Sequence, residues 1–381
     1  MLYRAGVMMR IFDTFMFDGE LTLLRYRLAE IYDLVDYFVL VEARRTYSNQ
    51  PKPLIFTTQQ AEFAWAAAKI RVVDLDGLGG PHLSARERAA CQRNATLLAL
   101  RDATPDDVIL LLDADEIPSR SFLLQVRSGA VTLPCRMAMT RHYEFLEAIA
   151  PASPCCRPTS SDAMKTVLRR PRPESWDELG STWFGQSGVA VTYGNLTDHS
   201  GNPACDRTAF SLRFGSSVSR VAPCAGRHLS AVDPATRLEC KLPRVFHTEH
   251  AIAHYRSALH LARCRKYGVH HSGWWYSETP RGTLPADLAR LASSSAELTP
   301  NDSFRPMLLR RLVCAWAWLR LWKRLPSSAV AIVDRYFAAS MILLGLPLLA
   351  LNVLRSLDLR FARRLTRNWR LPRTPARPDN R

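Results

Sequence analysis

The chain has 381 residues, enough for one large α/β domain of roughly 250 residues plus an appendage. Its 47% hydrophobic and 23% charged residues are ordinary for a globular protein. The net charge of +16 forms no stripe with interleaved aromatic residues, and no finger, RNP-like or P-loop spacing occurs, so no nucleic-acid partner is expected. The nine cysteines are scattered without any CxxC, so they predict neither a zinc site nor a disulfide framework.

Helical and strand patterns alternate in the first part of the chain. The predicted elements are a helix over 20–32, a strand over 37–42, a helix over 61–69, a strand over 70–75, a helix over 87–102 and a strand over 108–112. This alternation predicts a parallel sheet with crossover helices. Further stretches suggest strands of a mixed sheet whose order the pattern leaves open, at 138–144, 166–169 and 188–193.

The segment VILLLDADEIP, residues 108–118, delivers acidic side chains where a buried strand ends. Ligand sites of open α/β sheets lie at those carboxyl ends. Asp113 and Asp115 flank a small residue, so they can hold one divalent cation and leave positions open for phosphate oxygens. An enzyme whose leaving group is a nucleotide diphosphate needs this arrangement, since the cation neutralises the developing charge. A polar, helix-capping loop is the alternative interpretation.

The chain from Ile11 resembles glycosyltransferase family 17, whose best known members are β-1,4-mannosyl-glycoprotein β-1,4-N-acetylglucosaminyltransferases. The resemblance rests on the order and spacing of four phrases, FDGELTLLRYRLAEIYDLVDYFVLVE, KPLIF, RERAACQRN and DADEIP. It continues in GRHLS over 226–230 and HTEH over 247–250, with Arg227 where relatives usually carry tryptophan.

The resemblance implies an α/β fold of the GT-A type, a single Rossmann-like mixed sheet flanked by helices, over residues 1–300. It implies transfer of a sugar from a UDP-sugar to a hydroxyl of a glycan or lipid-linked glycan, with N-acetylglucosamine as the first candidate for the sugar. The transfer is expected to invert the configuration of the anomeric carbon and to form a β-linkage. A divalent metal ion, Mn²⁺ or Mg²⁺, is expected on Asp113 and Asp115, with His247 as a further ligand and His228 as the second candidate. Each histidine alone has a structural, hydrogen-bonded alternative.

The expected donor-binding residues are Glu20, Glu42, Arg86, Arg93, Asn94 and Asp113. Arg86 and Arg93 are two turns apart on one helix face and can offer bidentate contacts to phosphate oxygens. A solvated helix face is the alternative.

The expected catalytic residues are Asp115, Glu116 and Glu249. Glu249 is the candidate base that deprotonates the acceptor hydroxyl. Other carboxylates compete for this role, namely Glu20, Glu42, Glu144 and Glu147. The expected acceptor or sugar-binding residues are Arg227, His228 and Ser230. An arginine at 227 favours a charged or phosphate-bearing acceptor over one that stacks on a ring.

Residues 301–381 lie outside the resemblance. The stretch 307–325 mixes arginines with three tryptophans, as an interfacial helix does. The apolar run 337–354 is interrupted by Gly345 and Pro347 and is borderline for a membrane span. These features predict a basic helical extension that binds a membrane surface and leaves the catalytic domain in the cytoplasm. A span, a re-entrant hairpin and a core helix remain alternatives.

The excess of arginine over lysine suggests a bacterial source. The alternative function is a membrane-bound glycan-binding or assembly protein that keeps the transferase fold with little turnover.

Overall fold

The computed structural model describes residues 9–77, 82–149, 188–196, 208–214, 218–234, 237–238, 261–262, 264–265, 277–278 and 284–294. The chain divides into two compact units, Met1–Ala317 and Trp318–Arg381, and every described residue belongs to the first unit. The predictions made for 166–169, for His247 and Glu249, and for the whole C-terminal extension fall outside the described residues.

One mixed sheet organises the described part of the chain. Its strands are β1 (Ile11–Met16), β2 (Tyr37–Ala43), β3 (Ile70–Leu75), β4 (Val108–Asp113), β5 (Glu116–Pro118), β6 (Cys135–Tyr143), β7 (Phe145–Ile149), β8 (Val189–Thr192), β9 (Val221–Ser230) and β10 (Ser277–Glu278). The α-helices are α1 (Leu21–Ile31), α2 (Ile55–Gln59), α3 (Ala85–Asn94), α4 (Arg120–Arg127), α5 (Tyr193–Leu196), α6 (Thr208–Phe214) and α7 (Ala286–Ser294). Two 3-10 helices cover Gln60–Lys69 and Ala95–Ala99.

The first four strands form a parallel sheet in the order β3-β2-β1-β4, as the alternating pattern predicts. The register places Met16 of β1 opposite both Val41 of β2 and Asp113 of β4. The carboxyl ends of these strands therefore meet at one edge of the sheet. Strand β1 was not among the predicted strands, because Asp13 and Thr14 interrupt its apolar run although both are buried.

The second half of the sheet contains antiparallel strand pairs and one parallel pair, so it is mixed, as expected. Strand β8 runs antiparallel to β4 and leads to β6, β7 and β10. Strand β9 runs parallel to β6 and antiparallel to the short β5. This last pairing places Glu116 opposite His228, so the sheet curls back and brings two distant polar segments together.

Helix α1 packs its predicted apolar face on the sheet. Leu24, Leu28 and Ile31 are buried in a cluster with the parallel strands, and Leu21 packs against its margin. Burial of each such side chain contributes about 1.5–3 kcal/mol relative to exposure.

The predicted helix at 87–102 is instead α3 followed by a 3-10 turn. Helix α3 begins earlier than predicted because Ser84 and Glu87 form a capping box.

Among the residues that the structure describes, no helix has the length and apolar character needed to cross a bilayer.

Candidate active site

The acidic loop after β4 lies at the carboxyl edge of the parallel strands. Glu116 is fully buried, and its Oε2 accepts a hydrogen bond from the Asp113 backbone N–H at 3.0 Å, which closes the loop into a tight turn. The Asp115 side chain is also buried, whereas 38% of the Asp113 side chain is exposed. Asp113 is therefore the acidic side chain of this loop that a ligand can reach most easily.

Two buried arginines hold this loop. Arg93 donates to the Leu112 carbonyl at 3.0 Å and to Oδ1 of Asp113. Arg213 Nη2 lies 2.5 Å from Glu116 Oε1 and 3.6 Å from Asp113 Oδ2. Burial raises the pKa of Asp113, but the two guanidiniums outweigh it, so the net pKa lies below that of an ordinary aspartate. Asp113 is therefore ionised and paired with positive charge at neutral pH.

Arg86 and Arg93 lie on one face of α3, as their spacing predicts, and that face packs on α6. The Arg86 guanidinium lies 5.4 Å from the Phe210 ring, and that of Arg93 lies 5.3 Å from the Phe214 ring. Asn94 Oδ1 accepts a hydrogen bond from the Phe210 N–H at 3.1 Å. These three residues thus fix α6, and with it Arg213, beside the acidic loop, while their contacts with a donor remain a prediction.

His228 lies next to the acidic loop because β9 pairs with β5. Its Nε2 is 3.5 Å from Asp115 Oδ1, and its Nδ1 is 3.8 Å from Glu116 Oε1. The Leu229 N–H donates to the Asp115 carbonyl at 2.7 Å, which locks the two segments together. Arg141 Nη2 approaches His228 Nδ1 at 3.4 Å. The structure thus joins DADE and GRHLS, two motifs that the sequence separates by about a hundred residues.

Arg227 has a partner that the sequence did not predict. Its Nε and Nη2 donate to the two carboxylate oxygens of Asp287 in α7, at 2.7 and 3.2 Å. The Tyr26 hydroxyl donates to the same carboxylate at 3.2 Å. The Nε and Nη2 edge of the Arg227 guanidinium is therefore occupied by the protein itself, which weakens the expectation that it selects charged acceptors. Ser230, a further predicted acceptor contact, accepts through its carbonyl from the Glu144 N–H at 3.0 Å.

Two predicted donor-binding glutamates hold backbone amides. The carboxylate of Glu42 accepts from the N–H groups of Ile55 and Phe56 at 2.6 and 3.0 Å, so it caps the start of α2. Its burial raises its pKa, an effect that these amides partly offset. Glu20 Oε2 accepts from the Asp18 N–H at 2.8 Å. Both glutamates thus have a structural task, and a sugar or ribose contact would have to share these oxygens.

The remaining candidates for the catalytic base are Glu144, Glu147 and Glu249. Glu144 is buried and accepts from Arg265 Nη2 at 3.3 Å. Glu249 and the side chain of Glu147 lie outside the described residues.

Within the described residues, no group of three or more histidine, cysteine, aspartate or glutamate side chains forms a metal-binding cluster. The predicted ligand His247 is not among them. Of the two histidine candidates, His228 is the one that the structure brings to Asp115. Its position is compatible with a shared cation, because two donors on one metal ion lie about 3–3.5 Å apart when each bond is about 2.1 Å.

Sequence reasoning assigned no role to Arg27, Arg213 or Asp287, although each contacts the site or a strand that carries it. Arg27 falls in the family-like phrase RYRLAE, which is a signal that was available. Arg213 lies in the half of the chain without clear periodicity, so no local pattern indicated it. Asp287 belongs to a helix that follows a long unpredicted stretch.

The family comparison agrees with this geometry. Residues 3–143 match glycosyltransferase family 17, a segment that includes β1 to β6, α3 and the acidic loop. The resemblance to that family is thus confirmed for this part of the chain.

Three curated relatives match a part of the chain. The chain is similar to the β-1,4-mannosyl-glycoprotein 4-β-N-acetylglucosaminyltransferases of Rattus norvegicus and Homo sapiens, each 31% identical over 122 residues, which is 30% of this chain and 23% of the relative. The Mus musculus enzyme is 30% identical over the same length. The chain thus matches less than a quarter of each relative's length. All three relatives are mammalian, so they give no support to the bacterial source that the arginine content suggests.

Proposed function

We propose that the protein is a glycosyltransferase that moves a sugar from a UDP-sugar to a hydroxyl of a glycan. N-acetylglucosamine is the first candidate for this sugar. One observation carries the proposal. The acidic loop after β4 lies at the carboxyl ends of the parallel strands of the mixed sheet, inside the segment that matches glycosyltransferase family 17. The printed names of the relatives, which are N-acetylglucosaminyltransferases, support the choice of sugar.

The fold is proposed to be of the GT-A type. In support, the parallel order β3-β2-β1-β4 is followed by the antiparallel strand β8 and then by β6, so that a Rossmann-like half continues into a mixed half within one sheet. In such a sheet the nucleotide binds at the carboxyl edge of the parallel strands. In this protein Asp113 lies at that edge and forms an ion pair with the buried Arg93 of α3.

Positive charge for the donor diphosphate is proposed to come from the arginines that surround the loop. Arg93 and Arg213 both contact Asp113, and the exposed Arg86 lies on the same face of α3 as Arg93. Guanidiniums bind phosphate oxygens in a bidentate way, and they stabilise the charge that grows on the departing diphosphate.

A divalent cation is proposed to bind Asp113 and Asp115, with His228 or His247 beside them. The donor set fits Mn²⁺ or Mg²⁺, because carboxylate oxygens with one imidazole are suitable ligands and because Asp113 is partly exposed. When bound, the cation would neutralise negative charge on the diphosphate. The residues of the chain position the donor around it.

The transfer is proposed to invert the anomeric carbon and to form a β-linkage. The acceptor hydroxyl oxygen attacks that carbon as its bond to the diphosphate breaks, and a carboxylate takes the hydroxyl proton. Glu249 remains the candidate for this base. A glycan or lipid-linked glycan is the proposed acceptor, and residues 301–381 are proposed to hold the enzyme at an anionic membrane surface, with the catalytic unit in the cytoplasm.

Donor hydrolysis by the purified 381-residue chain tests the enzymatic proposal. A panel of nucleotide sugars is incubated with Mn²⁺, Mg²⁺ or excess EDTA in the absence of acceptor, and the released nucleotide is measured. We expect one UDP-sugar to be hydrolysed fastest and EDTA to abolish the reaction. Asp115→Asn should lower turnover by orders of magnitude while circular dichroism shows an intact fold.

The matched control is Asp76→Asn, since the Asp76 side chain is almost fully exposed and lies at the end of another strand of the sheet. Its turnover should equal that of the wild type. Binding of UDP-sugars without any hydrolysis or transfer would favour the glycan-binding alternative. Full activity in excess EDTA, or in Asp115→Asn, would remove the cation from the mechanism.

A further inference from the structure

A buried ion pair lies directly beneath the acidic loop. Arg27 of α1 donates from Nε and Nη2 to the two carboxylate oxygens of Asp13 in β1, at 2.6 and 2.7 Å. Both side chains are fully buried. The guanidinium also lies 4.2 Å from the Phe15 ring centroid. The planar fork of arginine suits this bidentate, stacked position, whereas a lysine cannot reproduce it.

The same guanidinium reaches the acidic loop itself. Arg27 Nη1 donates to the backbone carbonyls of Asp113 and Ala114, both at 3.1 Å. Two consecutive carbonyls are thus drawn inward toward α1. The loop is held on its outer side by the side chains of Arg93 and Arg213, so Arg27 supplies the corresponding contact from below.

We infer that Asp13 and Arg27 are positioning residues that set the backbone of the acidic loop, and through it the direction of the Asp113 and Asp115 carboxylates. The inference rests on the proposed function, because it assigns these carboxylates to a cation and a donor diphosphate. Asp13 fixes the guanidinium, and the guanidinium fixes the loop. A buried pair of this kind is weak evidence for stability, since a well-packed apolar pair often replaces it at no cost. Its four hydrogen bonds are better explained by the geometry that they impose.

Two variants separate positioning from stability. Arg27→Lys keeps the positive charge but loses the bidentate fork and the parallel contacts to the two carbonyls. The double variant Asp13→Leu with Arg27→Met removes both charges, so that no unpaired charge stays in the core. Arg10→Lys is the matched control. Arg10 also pairs with a buried aspartate, since its Nε and Nη2 both donate to Oδ2 of Asp107, but that pair lies at the opposite end of β4.

The whole 381-residue chain is used for three measurements. Mn²⁺ affinity is determined by electron paramagnetic resonance with and without UDP, hydrolysis of the best UDP-sugar gives kcat and KM, and thermal unfolding gives Tm. Changes in residues that orient metal ligands usually alter metal affinity or activity about 10–100-fold. We expect such a loss in Mn²⁺ affinity and in kcat for Arg27→Lys and for the double variant, with a Tm close to that of Arg10→Lys.

Mn²⁺ affinity and kcat equal to those of Arg10→Lys would overturn the positioning role. So would failure of both Arg27 variants to fold, because the pair would then serve the fold itself. If the wild type binds neither Mn²⁺ nor a nucleotide sugar, the proposed function fails instead, and the two failures are thereby distinguished.

Discussion

Arg213 Nη2 lies 2.5 Å from Glu116 Oε1, although 97 residues separate the two in sequence. Both side chains are almost completely buried, and the same nitrogen lies 3.6 Å from Asp113 Oδ2. One guanidinium from α6 thus contacts both acidic ends of the loop after β4. Glu116, which was predicted to be catalytic, is held on one oxygen by Arg213 and on the other by the Asp113 N–H. This arrangement favours a role in shaping the loop.

Arg213→Met should destabilise the protein by about 3–5 kcal/mol, because it leaves the Glu116 carboxylate buried without its cation. Adding Glu116→Gln should recover more than half of that loss, since the buried charge then disappears. Urea unfolding measures both. Arg220→Met is the control, because Arg220 is exposed, and it should change stability by less than about 0.5 kcal/mol. Equal losses in the single and double variants would show that the charge pair is not the cause.

Arg227→Lys and Asp287→Asn should each destabilise the protein by about 1–2 kcal/mol, and the double variant should lose less than the sum, because one hydrogen-bonded pair is removed in each case. Arg290 of α7 and Glu30 of α1 form a second ion pair, in which 63% of the Arg290 side chain is exposed, and this pair should show coupling below about 1 kcal/mol. If Asp287 holds Arg227, Arg227→Trp should change KM equally for neutral and acidic acceptors. A selective rise for acidic acceptors would restore the acceptor-binding prediction.

Gly226→Ala should disrupt the pairing of β5 with β9. A Cβ at this position would lie 2.2 Å from the Ile117 carbonyl oxygen, a distance that no relaxation of a flexible side chain can relieve. We expect a loss of about 2–3 kcal/mol or more in the free energy of unfolding, and a further loss of turnover because His228 moves with β9. Gly77→Ala is the control, since nothing lies within 4 Å of its added Cβ. Wild-type stability in Gly226→Ala would contradict this strand register.

His142 should make stability fall as the pH drops. Burial, together with the nearby Arg227 guanidinium, lowers its pKa to about 3, and its Nδ1 lies 2.6 Å from the Leu146 carbonyl oxygen. The unfolded chain takes up a proton near pH 6.5 that the folded chain refuses down to about pH 3. The stabilisation by neutral His142 is therefore complete above pH 6.5 and is lost at about 1.4 kcal/mol per pH unit below it.

Urea unfolding at pH 7 and pH 5 measures this effect. The wild type should lose about 2 kcal/mol more between these values than His142→Gln does. His82→Gln, at an exposed position, should behave as the wild type. The same pH dependence in His142→Gln and the wild type would show that this histidine is protonated in the folded protein.

The amino-acid sequence by itself determined the parallel half of the sheet and the position of the acidic loop. Strand β3 has the predicted bounds, β2 and β4 are each one residue longer than predicted, and α1 is one residue shorter at each end. The agreement arises because long apolar periodicity is a local property that burial preserves. The sequence also predicted where β4 ends, and this strand end determines the location of Asp113 and Asp115. The four family phrases that end with DADEIP lie in this half and agree with the family match over 3–143, whereas GRHLS and HTEH lie beyond that match.

Only the tertiary structure decided which groups face these carboxylates. The contacts of Glu116 with Arg213, of Arg227 with Asp287 and of Asp115 with His228 join residues 60 to 113 positions apart, and no local period encodes them. Strand β1 escaped prediction for a related reason. Its polar Asp13 is acceptable in the core because Arg27, fourteen residues later on another element, pairs with it there. A buried charge depends on its partner in space, and the sequence alone does not show which partner that is.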